Sequence, residues 1–268
     1  MSTSSKGFAV VTGASAGIGA IYADRLARRG YDLILVARSQ ARLDAVANRI
    51  AGATGRIVKT VAADLNDKAD LKRIETMLAT GTGITMLVNN AGVGAVEPLL
   101  TSDVDAMERM TDLNVTALTR LTYAAAPALV RRGRGAIINI SSVVAVAPER
   151  LNGVYGATKA FVLALSQSLH SELADKNVRI QTVLPGATAT NFWDVAGGSL
   201  ENLPSNIVMQ SDDLVDAALA GFDQGELVTI PSLPDAADWA AYEDARQKLM
   251  PNLSLSSVPS RYRIAVAA

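Results

Sequence analysis

The sequence predicts a doubly wound α/β fold, with a single parallel sheet of about seven strands and helices on both faces. Three observations predict it. Short apolar runs alternate with amphipathic segments of helical length along the chain. That alternation implies right-handed crossovers, and so parallel strands. The composition agrees: 49% of residues are hydrophobic but 4% are aromatic, a mix of Ala, Val, Leu and Ile that suits strands covered on both faces.

The elements follow in order. Residues 8–12 (Phe-Ala-Val-Val-Thr) are a buried strand ending in a glycine-rich turn. A helix over 20–29 stops at Gly30. The second strand is 32–37, followed by a charged amphipathic helix over 40–50. The third strand is 56–61, with a helix near 68–79, and the fourth is 84–88. A long helix is predicted over 103–131, where Val104, Met107, Met110, Leu118 and Leu121 form an apolar stripe. The fifth strand is 136–140, the next helix 153–175, and the sixth strand 178–184, ended by Pro185-Gly186. A helix near 212–222 leads to a last strand at 227–230. Two stretches break the rhythm. Residues 187–211 are turn-rich with scattered apolar side chains, and 231–268 form a proline-punctuated tail with a short helix around 235–249.

A length of 268 residues fits one domain over 1–268. The net charge of −1 gives no bulk attraction to nucleic acid or anionic membrane. There are no cysteines, which excludes disulfides and thiolate catalysis. Residues 1–7 have no apolar signal-peptide core, 116–130 are interrupted by Arg120 and too short to span a bilayer, and 264–268 carry no address signal. A cytoplasmic protein is expected, with no nucleic-acid or membrane partner.

The first strand runs into Thr12-Gly-Ala-Ser-Ala-Gly-Ile-Gly19. In this fold ligands sit beyond the carboxyl ends of the strands. Gly13, Gly17 and Gly19 either make a tight strand–helix turn or let backbone approach a pyrophosphate at a helix N-terminus, and their place after the first strand favours the second. Their spacing is GxxxGxG rather than GxGxxG. The second strand ends at Ala37-Arg38 with no acid to bind a ribose 2′-hydroxyl. Arg38 offers a charged fork suited to a 2′-phosphate, so NADP is expected over NAD.

Tyr155 and Lys159 stand four apart on one helix face. A neighbouring ammonium stabilises a phenolate, so the pair is expected to tune the phenol toward neutral pH. Ser141-Ser142 end the fifth strand, where a hydroxyl can meet a substrate oxygen. Asn114 interrupts the apolar stripe of the long helix, and a buried amide there either ties two elements together or holds a water. His170, the one histidine, is far along the helix from Tyr155 and reads as a surface or interface residue.

Together these residues resemble the short-chain dehydrogenase/reductase family over about residues 6–230. The resemblance rests on Thr12–Gly19, Asp64, Asn89-Asn-Ala-Gly92, Asn114, Ser142, Tyr155, Lys159 and Pro185-Gly-Ala-Thr-Ala-Thr190. It implies a Rossmann-type sheet and hydride transfer between nicotinamide and a carbonyl or alcohol carbon. Tyr155 is then the general acid or base, Ser142 polarises the substrate oxygen, Lys159 lowers the tyrosine pKa and binds ribose, and Asn114 holds a relay water. For the cofactor, the resemblance implies Gly13, Ser15, Gly17, Ile18, Gly19 and Arg38; Asp64 and Leu65 flanking adenine; and Asn90, Ala91 and Gly92 along the ribose. Pro185, Gly186, Thr188 and Thr190 hold the carboxamide and phosphates, and Asn89 is structural. NADP-preferring members often carry a basic residue inside the glycine turn, where Ser15 and Ala16 stand here.

The 187–211 stretch resembles the family's substrate loop. Its Phe192, Trp193, Val195, Leu200, Leu203, Ile207, Val208 and Met209, with Val143, Val144 and Leu151, suggest an apolar pocket for a small carbonyl or alcohol substrate. Gly197-Gly198 would let the loop move. No metal site is expected. The resemblance implies a homodimer or homotetramer paired through helices 103–131 and 153–175. A silent NADP-binding sensor, or the same fold doing epimerase or dehydratase chemistry, are the alternatives.

Overall fold

Seven runs of small and branched apolar residues pair side by side, every pair parallel. The computed structural model describes residues 5–262. Residues 1–4 and 263–268, the outer parts of the two ends read above for targeting signals, lie outside the described residues. The elements are β1 (Phe8–Thr12), α1 (Gly17–Arg28), β2 (Asp32–Ala37), α2 (Gln40–Thr54), β3 (Val58–Ala62), α3 (Lys68–Thr80), β4 (Ile84–Asn89), α4 (Val104–Thr111), α5 (Leu118–Arg131), β5 (Gly135–Ile140), α6 (Gly153–Glu172), β6 (Val178–Val183), α7 (Phe192–Val195), α8 (Ser211–Gln224), β7 (Val228–Thr229) and α9 (Ala236–Leu249). The sheet order is β3-β2-β1-β4-β5-β6-β7.

Side chains alternate along each strand between two cores. Ala9, Val11, Leu33, Leu35, Met86, Val88 and Ile138 meet α1, α2 and α8 on one face. Val10, Ile34, Val36, Leu87 and Ile137 meet α3, α5 and α6 on the other. Burial on both faces is why the strands read as continuous apolar runs.

Several boundaries differ from expectation by two or three residues, the start of β3 and the end of α6 among them, and three departures have a clear physical reason. Helix α1 begins at Gly17 rather than residue 20, because Gly17 and Gly19 sit in its first turn, where close backbone approach outweighs low propensity. Helix α2 runs on to Thr54 and ends at Gly55 in the left-handed conformation, φ 67°. The predicted long helix is broken: residues Asp112–Ala117 form a π-helical segment between α4 and α5, with Asn114 inside it.

The described residues fall into two compact units, within Met1–Ser232 and Leu233–Ala268. In the second unit, Asp235 caps α9 by accepting from Ala237 N at 2.8 Å, and Trp239 stacks on Tyr242 at 5.0 Å. Among the described residues no helix is long and apolar enough to cross a membrane.

One buried charge braces the first core. Asp24 is 4% exposed and accepts from Arg25 at 3.0 Å and Arg28 at 2.8 Å, while Arg25 reaches Asp212 and Asp216 on α8, both at 2.7 Å. Burial pushes the Asp24 carboxyl up, but the two guanidiniums outweigh it and hold the group below its usual range. A depressed carboxyl pKa contributes stability that is present above the unfolded value and lost as pH falls through the folded one. Asp24→Asn is therefore expected to cost about 1.5–3 kcal/mol at pH 7. It should also flatten the loss of stability below pH about 4. Urea midpoints at neutral and acid pH check both; an unchanged acid limb would remove Asp24 from the account.

Candidate active site

The strand order reverses between β1 and β4, which opens a crevice at their carboxyl ends. Thr12, the last residue of β1, holds that crevice together. Its Oγ1 accepts from Asn90 N and Ala91 N, each at 3.0 Å, and donates to Val88 O at 3.3 Å. Asn90 Nδ2 donates to Thr12 O at 2.9 Å and Gly13 O at 3.3 Å.

The glycine turn is packed to backbone level. Gly13 has φ 66°, and a Cβ there would lie 2.8 Å from Asn90 Nδ2 and 2.9 Å from Ala91 Cα. A Cβ on Gly19 would run into the Gly13 carbonyl and the Asn90 amide. No side chain caps the first turn of α1, so its N–H groups and positive dipole end face the crevice. Half-buried Ser15 and Ile18 flank this end. Thr190 arrives from the far side of the sheet, its methyl 3.4 Å from a Cβ built on Gly17. This cradle fits a diphosphate: exposed backbone, unpaired donors, and no side chain in the way.

Arg38 follows β2, is exposed, and has no hydrogen bond or ion pair with another described residue. Asp64, after β3, accepts from Asn66 N at 3.0 Å, so part of its carboxylate is spent on its own turn. Leu65 is 6% exposed and belongs to the second core.

The chemical groups converge where β5 ends and α6 begins. Asn152 caps α6, accepting from Val154 N at 2.9 Å and Tyr155 N at 3.3 Å, and donates to Glu97 O at 2.6 Å. Tyr155 is buried with Ala95, Met110 and Val144, against Leu151, Val154 and Phe192. The Ser142 hydroxyl is near enough to the phenol to favour its ionised form. Ser142 Oγ donates to Pro185 O at 3.3 Å. One turn along α6, Lys159 Nζ donates to Ile140 O at 3.0 Å and lies 5.7 Å from the Tyr155 ring centroid. Ser141 Oγ donates to Lys159 O at 2.7 Å, pinning the helix to the strand end.

The protonation balance differs from the sequence expectation. Burial pushes the Tyr155 phenol up to about 12, with the Ser142 hydrogen bond a smaller opposing effect. Burial likewise pushes the Lys159 amine down to about 8. A shared helix face predicts only that the groups are neighbours. Lys159 Nζ is engaged by Ile140 O, and burial is the largest cause of both shifts.

Asn114 is brought to the site by the π segment. Its Nδ2 donates to Val93 O at 2.8 Å and Thr158 Oγ1 at 3.1 Å, and its Oδ1 accepts from Val93 N at 3.0 Å. It therefore ties α6 and the 93–97 segment together. A Cβ on Gly92 would lie 3.0 Å from Asn114 Oδ1 and 3.5 Å from Lys159 Nζ, so both groups converge on that glycine. Asn89 Nδ2 donates to Asn139 Oδ1 at 2.9 Å, tying β4 to β5.

After β6, Pro185 O accepts from Val143 N at 3.0 Å, and Gly186 O accepts from Thr188 Oγ1 at 3.0 Å. Thr188 O accepts from Trp193 Nε1 at 3.1 Å, so Thr188 is engaged at both ends. The 187–211 loop is closed at its base by a bridge between Thr188 and Met209 and contains α7. Phe192 faces Tyr155 at 5.7 Å between ring centroids, whereas Val195 and Ile207 are exposed. Val144 and Leu151 join the apolar cluster around Tyr155; Val143 is not part of it. His170 is exposed near the end of α6. Among the described residues no group of three His, Cys, Asp or Glu side chains is arranged to hold a metal.

Sequence reasoning missed Thr12, Thr158 and Asn152. Asn152 carried a signal, since Asn directly before a helix is a common cap. Thr12 and Thr158 carried none, because their partners are 78 and 44 residues away.

Fold and site together define a Rossmann-type scaffold with Ser142, Tyr155 and Lys159 at the mouth of its sheet. The short chain dehydrogenase family model matches residues 7–197, and the chain belongs to that family. It is similar to a short-chain dehydrogenase from Sphingobium yanoikuyae solved in complex with NADPH, with 49% identity and a TM-score of 0.92 over 96% of this chain and 100% of that one. It is also similar to a bulky-bulky ketone specific alcohol dehydrogenase from Comamonas testosteroni, at 45% identity and a TM-score of 0.88, covering 96% and 98% of the two chains. The very-long-chain 3-oxoacyl-CoA reductase of Bos taurus is 39% identical over 189 residues, 69% of this chain but 60% of that protein. The chain thus spans less than two thirds of that curated relative's length.

Proposed function

We propose that this chain is an NADP-dependent oxidoreductase that interconverts a carbonyl compound and its alcohol, with Tyr155 as general acid in reduction and general base in oxidation. The observation that carries the reading is the convergence of Ser142, the Tyr155 phenol and the Lys159 amine, with the amine against Gly92 in the segment that follows β4. The residues that would hold the cofactor are the cradle Gly13, Ser15, Gly17, Ile18 and Gly19 with Thr190; Arg38 and Asp64 at the adenosine end; and Asn90, Ala91, Gly92, Pro185, Gly186 and Thr188 toward the nicotinamide. Bound nicotinamide supplies or accepts the hydride.

The chain's own residues handle the oxygen and the proton. Ser142 and Tyr155 bracket the substrate oxygen. In reduction the phenol O–H gives its proton to that oxygen, and the phenolate left behind is stabilised by the Ser142 hydroxyl and by charged Lys159. Asn114 and Thr158 hold α6 in place and lie on the path by which a proton returns through Lys159. The family membership and the NADPH-bound relative support the cofactor; the relative specific for bulky ketones and the apolar surroundings of Tyr155 support a fairly apolar substrate. A cytoplasmic homodimer or homotetramer is part of the reading. Exposed Val104, Tyr123 and Phe161 on the helical segments named above support pairing there, and light scattering of the purified chain measures it.

The test is a panel of aliphatic and aryl ketones and aldehydes, followed by NADPH absorbance. Apolar ketones should turn over faster than small charged carbonyls. Tight NADPH binding with no turnover across the panel overturns the enzyme reading in favour of a nucleotide sensor.

A further inference from the structure

Gly94 has no role in the chemistry described above, yet it touches a part of the site that a side chain would change. A Cβ built on Gly94 would clash with the edge of the Phe192 ring, meeting Cζ and lying 2.6 Å from Cε2 and 3.3 Å from Cε1. The Phe192 ring in turn packs on Tyr155 at 5.7 Å and 44°, and edge-on against Trp193 at 5.5 Å and 89°. So Phe192 is the centre of one contact cluster, touching Gly94 on one side and Trp193 and the reactive phenol of Tyr155 on the others.

The backbone at Gly94 has little freedom to yield. On one side, Val93 N and Val93 O are both held by the Asn114 amide. On the other, Val96 N donates to Ala196 O at 3.1 Å, which ties this segment to the substrate loop just beyond Phe192. Phe192 is less constrained: its backbone N donates to Thr190 Oγ1 at 3.2 Å, but its ring is half-buried and can rotate about two side-chain bonds. When space is contested between the two, the ring moves.

We propose that Gly94 is a specificity-determining position: by carrying no side chain it seats the Phe192 ring against Tyr155, and the seated ring sets how large a substituent can stand beside the carbonyl at the phenol. This rests on the oxidoreductase reading above. Gly94→Ala drives the ring off its seat, and Phe192→Ala removes the ring. The two substitutions reach the same open pocket by different routes, so they act in the same direction and are not additive.

The experiment is a double-mutant cycle on Gly94→Ala and Phe192→Ala, reading kcat and KM for a slim and a bulky apolar ketone. Each single variant should raise the bulky-to-slim ratio of kcat/KM about tenfold, the low end of what one methylene is worth in an apolar pocket. Most of the gain should appear in KM for the bulky ketone, because Tyr155, Ser142 and Lys159 are unchanged. Adding Gly94→Ala to Phe192→Ala should change the ratio no further. A merely structural role would lower activity toward both ketones alike. An unchanged ratio in either single variant, or a full second effect in the double variant, overturns the proposal.

A second readout needs no turnover. The chain has two tryptophans, Trp193 and Trp239. In a Trp239→Phe background, Gly94→Ala should shift Trp193 emission, and the shift should vanish when Phe192 is Ala. An unshifted spectrum overturns the seating of Phe192. If the parent chain reduces no carbonyl while the spectrum does shift, the enzyme reading fails and the specificity role falls with it, while the contact cluster stands.

Discussion

Tyr155→Phe is expected to lower kcat for carbonyl reduction by about two to four orders of magnitude, the scale of a general acid in direct contact with the reacting oxygen. The substitution removes one oxygen and leaves the ring. Tyr155 packs among Ala95, Met110, Val144 and Phe192, and a phenyl ring keeps those contacts. The melting temperature should therefore move little while activity collapses, and that separation of the two readouts is the test. Full activity in the variant would reject the role.

The pH profile extends this prediction. A phenol pushed up to about 12 stays protonated across the neutral range, so the acid for reduction is always loaded. What titrates nearby is Lys159, at about 8. Below that value its ammonium stabilises the phenolate that forms as the proton leaves; above it the charge is gone. Reduction should hold steady up to about pH 8 and then fall, and Lys159→Met should remove the falling limb along with most of the rate. A wild-type rate that rises steadily from pH 7 to 10 would contradict the assignment.

Arg38→Asp is expected to reverse the cofactor preference, from NADPH to NADH. Arg38 is exposed and has no hydrogen bond or ion pair with another described residue, so its removal breaks nothing in the fold. Charge-assisted hydrogen bonds to a phosphate are worth about 1.5–3 kcal/mol, or roughly ten- to a hundredfold in affinity. An aspartate there repels a 2′-phosphate and accepts from a ribose hydroxyl, which widens the swing. With Ser15 and Ala16 in the glycine turn, no second cation there shares the work. The contact is exposed, so NADPH affinity should weaken as salt rises while NADH affinity barely changes. The measurement is kcat/KM with each cofactor for both proteins; a parent that uses NADH as well as NADPH would refute it.

Much of the scaffold was legible in the sequence. The strands showed as apolar runs because each is covered on both faces, and the order of motifs placed Thr12–Gly19, Ser142 and Tyr155 on the elements where they stand. The site was less legible. Asn114 read as an odd amide in a continuous helix, but nothing in helical periodicity announces a π segment, because the extra residue per turn is stabilised by bonds to Val93 and Thr158. Nothing in the sequence marks Gly94, since its neighbour Phe192 is about a hundred residues away.

What the sequence by itself determined is whatever depends on short-range order: strand and helix periods, the glycine turn after the first strand, and a tyrosine and a lysine one turn apart. Folding decided what depends on depth and on distant neighbours. It set the proton affinities at 155 and 159 by burying both groups, and it put a phenylalanine from the 187–211 loop against the phenol. Spacing along the chain reports who is adjacent on one element; the cost of removing a charge from water and the shape of a pocket are set by residues that meet only once the sheet has closed.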